Sequence, residues 1–139
     1  MKVICISDIH GNIECLNKVI EQFRKEKAEK LIILGDFSSY YFSSSDFEVA
    51  EILNNMAGAI IAVKGNCDSS EQENLFHFGL GLIKTIDING KRVSLKHGHV
   101  YNRNNLPEDV RRNIFIWTYT CGDDRKGKRK NNCKSWFNF

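Results

Sequence analysis

Four short runs in this chain carry side chains able to bind divalent cations: Asp8-Ile9-His10, Gly35-Asp36, Gly65-Asn66-Cys67-Asp68 and His97-Gly98-His99. Asp, His and Asn form the ligand set of borderline ions such as manganese, iron and zinc. Each run follows a short apolar stretch. Asp36 comes after Leu31-Ile32-Ile33-Leu34, Asn66 after Ile60-Ile61-Ala62-Val63, and His97 after Val93-Ser94-Leu95. Asp8 and His10 are two residues apart, so an extended backbone would point both side chains the same way. In an open α/β sheet, ligands gather beyond the carboxyl ends of the strands, where Asp8, His10, Asp36, Asn66 and His97 all fall. Taken singly they have plainer readings: Asp36 as a turn cap, Asn66 as an Asx-turn residue. Five of them at successive strand ends do not read as coincidence.

The elements that must position these residues follow from patterning. Lys2–Ser7 is a β-branched strand of the buried type, and Asn12 can cap a helix from Ile13 to about Lys27. On that helix Ile13, Leu16, Val19, Ile20 and Phe23 share one stripe. Leu31–Leu34 is a second strand. A serine- and aromatic-rich loop over 38–45 leads to a helix capped by Ser45 or Asp46 and running to about Met56. Ala59–Val63 is a third strand, and a polar loop begins at Ser69. Ile83–Ile88 and Arg92–Lys96 form a hairpin around Asn89-Gly90, a type I′ pair. Leu106-Pro107-Glu108-Asp109 resembles a short helix start, and Asn113–Ile116 is a last strand. Strand–helix alternation followed by a hairpin predicts an α/β fold with two sheets.

In this order and with these gaps, D-x-H, G-D, G-N-C-D and H-G-H resemble the calcineurin-like metallophosphoesterases, most of all their small bacterial and archaeal phosphodiesterases. The resemblance covers Met1 to about Ile116. It implies a two-sheet β-sandwich flanked by helices and a metal-dependent phosphodiesterase acting on phosphate esters through a hydroxide bridging two metals. The ions would be manganese first, with iron, zinc or nickel as alternatives. By the same resemblance Asp8 and His10 hold the first metal, Asn66 and His97 the second, and Asp36 bridges them with its two oxygens. Asn66 could also face a phosphate oxygen, and His99 could reach the substrate, so both are candidate catalytic residues. Many relatives carry a His after the motif Asn, able to protonate a leaving group. Here Cys67 stands there, which favours esters with good leaving groups, aryl diesters among them.

The family pattern should continue through a strand into G-H-x-H, two further metal ligands, and then to N-P-G-S. This chain instead reads Ile114-Phe115-Ile116-Trp117-Thr118-Tyr119-Thr120-Cys121, and no histidine follows His99. The genetic code suggests why, because Trp has the single codon TGG, whose last two bases open a glycine codon in the next frame. Back-translated with A/T-rich codons and shifted by one base, the stretch from Trp117 reads Y-G-H-T-H-V. Cys133–Asn138 shifted likewise reads V-N-P-G-S. The glycines are nearly forced by Trp117 and Trp136, 19 residues apart, while the histidines depend on codon choice. Residues 1–116 are therefore expected to be a metallophosphoesterase-like domain, C-terminally truncated, and 117–139 a frameshifted tail. A sequencing error, a mutation or a pseudogene would each account for the shift.

Composition fits this reading. With 139 residues, 42% of them hydrophobic, the chain suits one globular domain. No apolar run reaches the ~20 residues of a membrane span, and the N-terminus enters a strand with no leader pattern. Five scattered cysteines with no C-x-x-C point to reduced thiols and a cytoplasmic location. Six of the 20 basic residues and two of the 17 acidic ones lie from Trp117 onward, so the rest is nearly balanced. The run Arg125–Lys130 could be a nucleic-acid patch, but the shifted frame turns it into an alternating Glu/Lys stretch, which disfavours that reading. His77 reads as a loop histidine and Phe76-His77-Phe78 as a packing segment. Two other functions remain: an inactive scaffold of the same fold, like the retromer subunit, and a receiver-like domain. The retained ligand residues argue against the first; the second lacks a placeable acidic cluster and Lys. Oligomeric state is open, a homodimer included.

Overall fold

The computed structural model describes residues 1–39 and 41–100 together with the backbone of 114–117. β1 (Val3–Ile6), β2 (Lys30–Ile33) and β3 (Ile60–Ala62) form a parallel sheet in that order, with Val3 opposite Lys30 and Leu31 opposite Ile60. β4 (Ile83–Ile88), β5 (Lys91–Lys96) and β6 (Ile114–Trp117) form a second sheet, antiparallel between β4 and β5 and parallel between β5 and β6. The expected two-sheet α/β architecture is the one observed.

Side-chain alternation explains why two layers cover the first sheet. Ile4, Ile6, Leu31, Ile33, Ile60 and Ala62 project from one face into a core shared with α1 (Ile13–Lys25) and α2 (Ser44–Asn54). Val3, Cys5, Ile32, Leu34 and Val63 project from the other and pack on Ile88, Val93 and Leu95 of the hairpin. A parallel sheet buried on both faces reads as the continuous apolar strands seen here. Beneath the helices Phe37 is fully buried, with its ring centroid 4.9 Å from that of Phe76 and 6.3 Å from that of Phe78.

α1 starts where its sequence directs: Asn12 Oδ1 accepts the Cys15 amide at 2.9 Å, and Leu16, Val19 and Ile20 are buried. It stops at Lys25 rather than Lys27, because Lys27 adopts φ +50°. The cap of α2 is Ser43, not Ser45 or Asp46. Asp46 sits at the third helical position and returns the bond to the Ser43 amide, a capping box. A 3₁₀ turn over Ala57–Ala59 delays β3 to Ile60. The polar stretch after Ser69 holds a further short helix, α3 (Ser70–Glu73), whose S-x-x-Q capping box was present in the sequence but too polar to mark a buried helix. Asn89 and Gly90, at φ 52° and 78°, make the expected hairpin turn. The helix start near Leu106 and the tail beyond Trp117 lie outside the described residues. Among those described, no helix is long and apolar enough to cross a membrane.

Removing the Phe37 ring would open a cavity between the helices and the three-ring stack. Phe37→Ala should cost about 3–5 kcal/mol in denaturant unfolding. A loss below about 1 kcal/mol would show that this stack is not part of the core.

Candidate metal centre

Beyond β1 and β2 the chain leaves the strands, yet the two segments stay paired. Asp8 donates its amide to the Gly35 carbonyl at 3.1 Å, His10 to Asp36 at 3.0 Å, and Gly11 to Phe37 at 2.9 Å. Asp8, His10 and Asp36 take φ of 56°, 47° and 56°. The expectation of an extended Asp8–His10 backbone is therefore corrected: both residues lie in the left-handed region. Their side chains converge because the paired loops aim them, not because of strand pleat. Non-glycine residues seldom adopt such φ, and where they do the fold around them enforces it.

Asp36 sits at the centre and is buried. Its Oδ1 accepts the Cys67 amide at 2.9 Å. Its Oδ2 faces both histidines, 3.6 Å from His10 Nε2 and 3.5 Å from His97 Nε2. The carboxylate thus offers one oxygen to both sides, not one oxygen to each. Asp8 Oδ1 lies 3.7 Å from His10 Nε2, and Asn66 Oδ1 lies 3.0 Å from His97 Nε2. All five residues expected to bind metal share one cluster. Two triads of ligand atoms stand within 4.8 Å of one another, Asp8–Asp36–His97 and His10–Asp36–Cys67, so Asp36 belongs to both. Cys67, read from sequence only as a weak acid, joins the ligand atoms. His99 is exposed with its ring 5.3 Å from that of His97, and His77 stands apart, its amide bound to Asn54.

His97 carries the outer contact of a metal ligand. His97 Nδ1 lies 2.6 Å from the Leu34 carbonyl, which can only accept, so Nδ1 carries the proton. In the neutral ring the Nε2 lone pair then faces Asn66 Oδ1 and Asp36 Oδ2. Electron-rich atoms converging in this way repel one another unless a cation or a proton lies among them. The donor set therefore fits divalent ions.

Charges shift accordingly. The hydrogen bond to Asp8 raises the His10 pKa, against the pull of its burial. Burial pushes Asp8 up, but hydrogen bonds from His10 and Ser7 and the nearby His97 outweigh it, leaving Asp8 below its usual value. Burial and the Asp36 charge push the Cys67 thiol up to about 12.

Asp68 escaped the sequence reading and holds the centre together. It is buried and accepts four main-chain amides: Asp36 at 2.9 Å, Phe37 at 2.8 Å, Ser38 at 3.4 Å and Gly65 at 2.8 Å. Burial pushes its carboxyl up, against those amides. Gly35 and Gly65 allow the loops to touch. A Cβ on Gly35 (φ +92°) would stand 2.5 Å from Gly65 N, and one on Gly65 would overlap Asp36 Oδ1 and N.

A family model described as the calcineurin-like phosphoesterase superfamily domain matches residues 1–118. Phosphodiesterase YfcE of Escherichia coli strain K12 is 33% identical over 127 residues, covering 86% of this chain and 69% of that protein. A solved structure of YfcE, described as a phosphoesterase from E. coli, superposes with TM-score 0.70 at 35% identity, over 77% of this chain and 63% of that one. A structure described as a novel archaeal phosphodiesterase gives TM-score 0.56 at 26% identity, over 71% and 60%. The chain spans less than two thirds of the length of these solved relatives.

Gly65→Ala should cost about 1–3 kcal/mol or more by overpacking and should abolish metal binding, read by calorimetric titration with manganese. Unchanged binding would mean that Asp36 is not confined by the Gly65 backbone. In the metal-free protein the His10–Asp8 contact has a defined pH window. The raised His10 pKa adds stability that is lost as pH climbs through it. The lowered Asp8 pKa adds stability that is lost as pH falls through it. Asp8→Asn should therefore destabilise the metal-free protein between about pH 4 and 6.5 and little at pH 9. By NMR, His10 should titrate above its usual value, and lower in Asp8→Asn.

Proposed function

The chain belongs to the calcineurin-like phosphoesterase superfamily, and from that premise we propose that it descends from a metal-dependent phosphodiesterase. The reading has Asp8, His10 and Asp36 holding one divalent ion, with Asn66, His97 and the shared Asp36 holding a second. One observation carries it: both histidines turn Nε2 to the same Asp36 oxygen, and the His97 ring is also bound to the Leu34 carbonyl. Two divalent cations, manganese first by the donor set, would neutralise phosphate charge and acidify the attacking water.

The chain's own residues orient and exclude. Asp36, immobilised by the Cys67 amide, fixes the distance between the two histidines. Asn66 is exposed, so that its amide can meet a phosphate oxygen, and the exposed His99 ring lies 5.3 Å from that of His97. Cys67 occupies the position from which a leaving group would be protonated. With its pKa pushed to about 12, the thiol is a poor acid near neutral pH. Substrates whose leaving group departs as a stable anion, such as aryl phosphodiesters, suit this site. A scaffold role would require neither the shared carboxylate nor the backbone-anchored His97. A cytoplasmic setting agrees with free thiols at Cys5, Cys15 and Cys67.

Residues 117–139 belong to this proposal as a frameshifted tail, in place of the segment that would carry two more histidines. The family match over residues 1–118 supports that boundary. Without those ligands each ion keeps about three protein donors, and activity is impaired.

Restoring the frame, so that Ile116 is followed by Y-G-H-T-H, should raise turnover of an aryl phosphodiester in excess manganese by well over tenfold. A lost ligand typically costs several kcal/mol of metal binding, against ~1.4 kcal/mol per factor of ten. Equal activity of the two versions would show that the added histidines are dispensable. An uninterrupted reading frame in the gene around codon 116 would remove the frameshift argument.

A further inference from the structure

Cys5, Cys15 and Cys67 are free thiols in very different settings. Cys5 is buried between the sheets, and Cys15 lies on α1. Among the described residues, Cys67 is the cysteine that stands with two other ligand-type side chains. Its Sγ, a His10 ring nitrogen and an Asp36 carboxylate oxygen lie within 4.8 Å of one another. Asp36 fixes both neighbours. Its Oδ1 accepts the Cys67 amide at 2.9 Å, and its Oδ2 faces His10 Nε2 at 3.6 Å. The sulfur is oriented as well, because Asn66 Nδ2 donates to Sγ at 3.3 Å. An outer contact of this kind is what aims a metal ligand.

We infer that the Cys67 sulfur is a ligand of the ion bound by His10 and Asp36, and that it gives this ion a preference for zinc over manganese. Donor atoms around one tetrahedral zinc, each ~2.0–2.3 Å from the metal, stand ~3.3–3.8 Å apart. His10 Nε2 and Asp36 Oδ2, at 3.6 Å, already have that spacing. Closing the sulfur in from 4.8 Å takes at most about 1 Å of movement, within reach of one side-chain torsion. Carboxylate oxygens suit manganese, whereas a soft thiolate selects zinc. The other triad, Asp8–Asp36–His97, contains no sulfur. The two halves of the centre therefore differ in softness although they share Asp36. Binding forms one metal–sulfur bond from a sulfur lone pair and releases the thiol proton to solvent, with nothing oxidised or reduced. The inference rests on the metal-centre reading above and names the ion preferred by one of its halves.

Cobalt alone is the first probe, because sulfur-to-cobalt charge transfer gives a near-ultraviolet band that nitrogen and oxygen ligands do not. The full chain titrated with cobalt should develop that band. Cys15→Ser, Cys121→Ser and Cys133→Ser combined should keep it, and Cys67→Ser should lose it. By calorimetry, Cys67→Ser should weaken zinc at least about tenfold and manganese less than about threefold. If Cys67→Ser does not fold, the wild type decides. Zinc should slow alkylation of Cys67, mapped by mass spectrometry, at least about tenfold, and manganese should not. A band that survives Cys67→Ser, cobalt bound without a band, equal weakening of zinc and manganese, or alkylation indifferent to zinc would overturn this inference and leave the metal-centre reading standing. If the wild type binds neither cobalt, zinc nor manganese, the metal-centre reading fails with it.

Discussion

Everything at the centre depends on a grip placed on four consecutive peptide groups, those joining residues 35 to 39. On the N–H side, buried carboxylates receive every amide: Asp68 takes those of Asp36, Phe37 and Ser38, and Asp46 takes that of Ser39. On the carbonyl side, Gly35, Asp36 and Phe37 accept the amides of Asp8, His10 and Gly11. Burying a carboxylate is costly unless hydrogen bonds replace its lost water. Here the replacement comes from the segment that carries the central ligand. The desolvation problem of Asp68 and the positioning problem of Asp36 have one solution.

That solution requires close contact and tolerates strain. At the centre Asp8, His10 and Asp36 hold positive φ, each worth about 1–3 kcal/mol against it. Gly35 and Gly65 approach so closely that no β-carbon fits between them. Such an arrangement persists only where the surroundings are rigid. The two apolar layers supply this, one between the parallel sheet and the helices and one between the two sheets. The loops spring from the ends of β1, β2 and β3, which those layers lock. His97 follows β5 and reaches back to Leu34 at the end of β2, so the second sheet contributes its ligand across the sandwich.

The same crowding shapes the chemistry open to Cys67. Its amide serves Asp36, and its thiol stands among carboxylates that oppose ionisation. A thiol in this field would lose its proton to solvent readily only with a cation bound beside it, since a bound metal ion reverses the local electrostatics.

Sequence alone determined the strands, both main helices, the hairpin and the five residues that cluster at the centre. These follow from apolar periodicity and from side-chain chemistry, which are local and linear. It also identified the relation to metallophosphoesterases, because motif order survives in one dimension. Only the tertiary structure decided how the ligands converge. Asp8 and His10 meet Asp36 through left-handed loops that no strand pattern encodes, and one Asp36 oxygen, not two, serves both histidines. Asp68, Asp46 and Ser43 were present as ordinary polar residues. Their importance lies in which amides they meet, Asp68 across about 30 residues of chain from Asp36 and Phe37, and Asp46 from the nearby Ser39 and Ser43. A buried carboxylate and an exposed one have the same letter. What distinguishes them is the water each loses when the sheets close, and that is settled only by the fold.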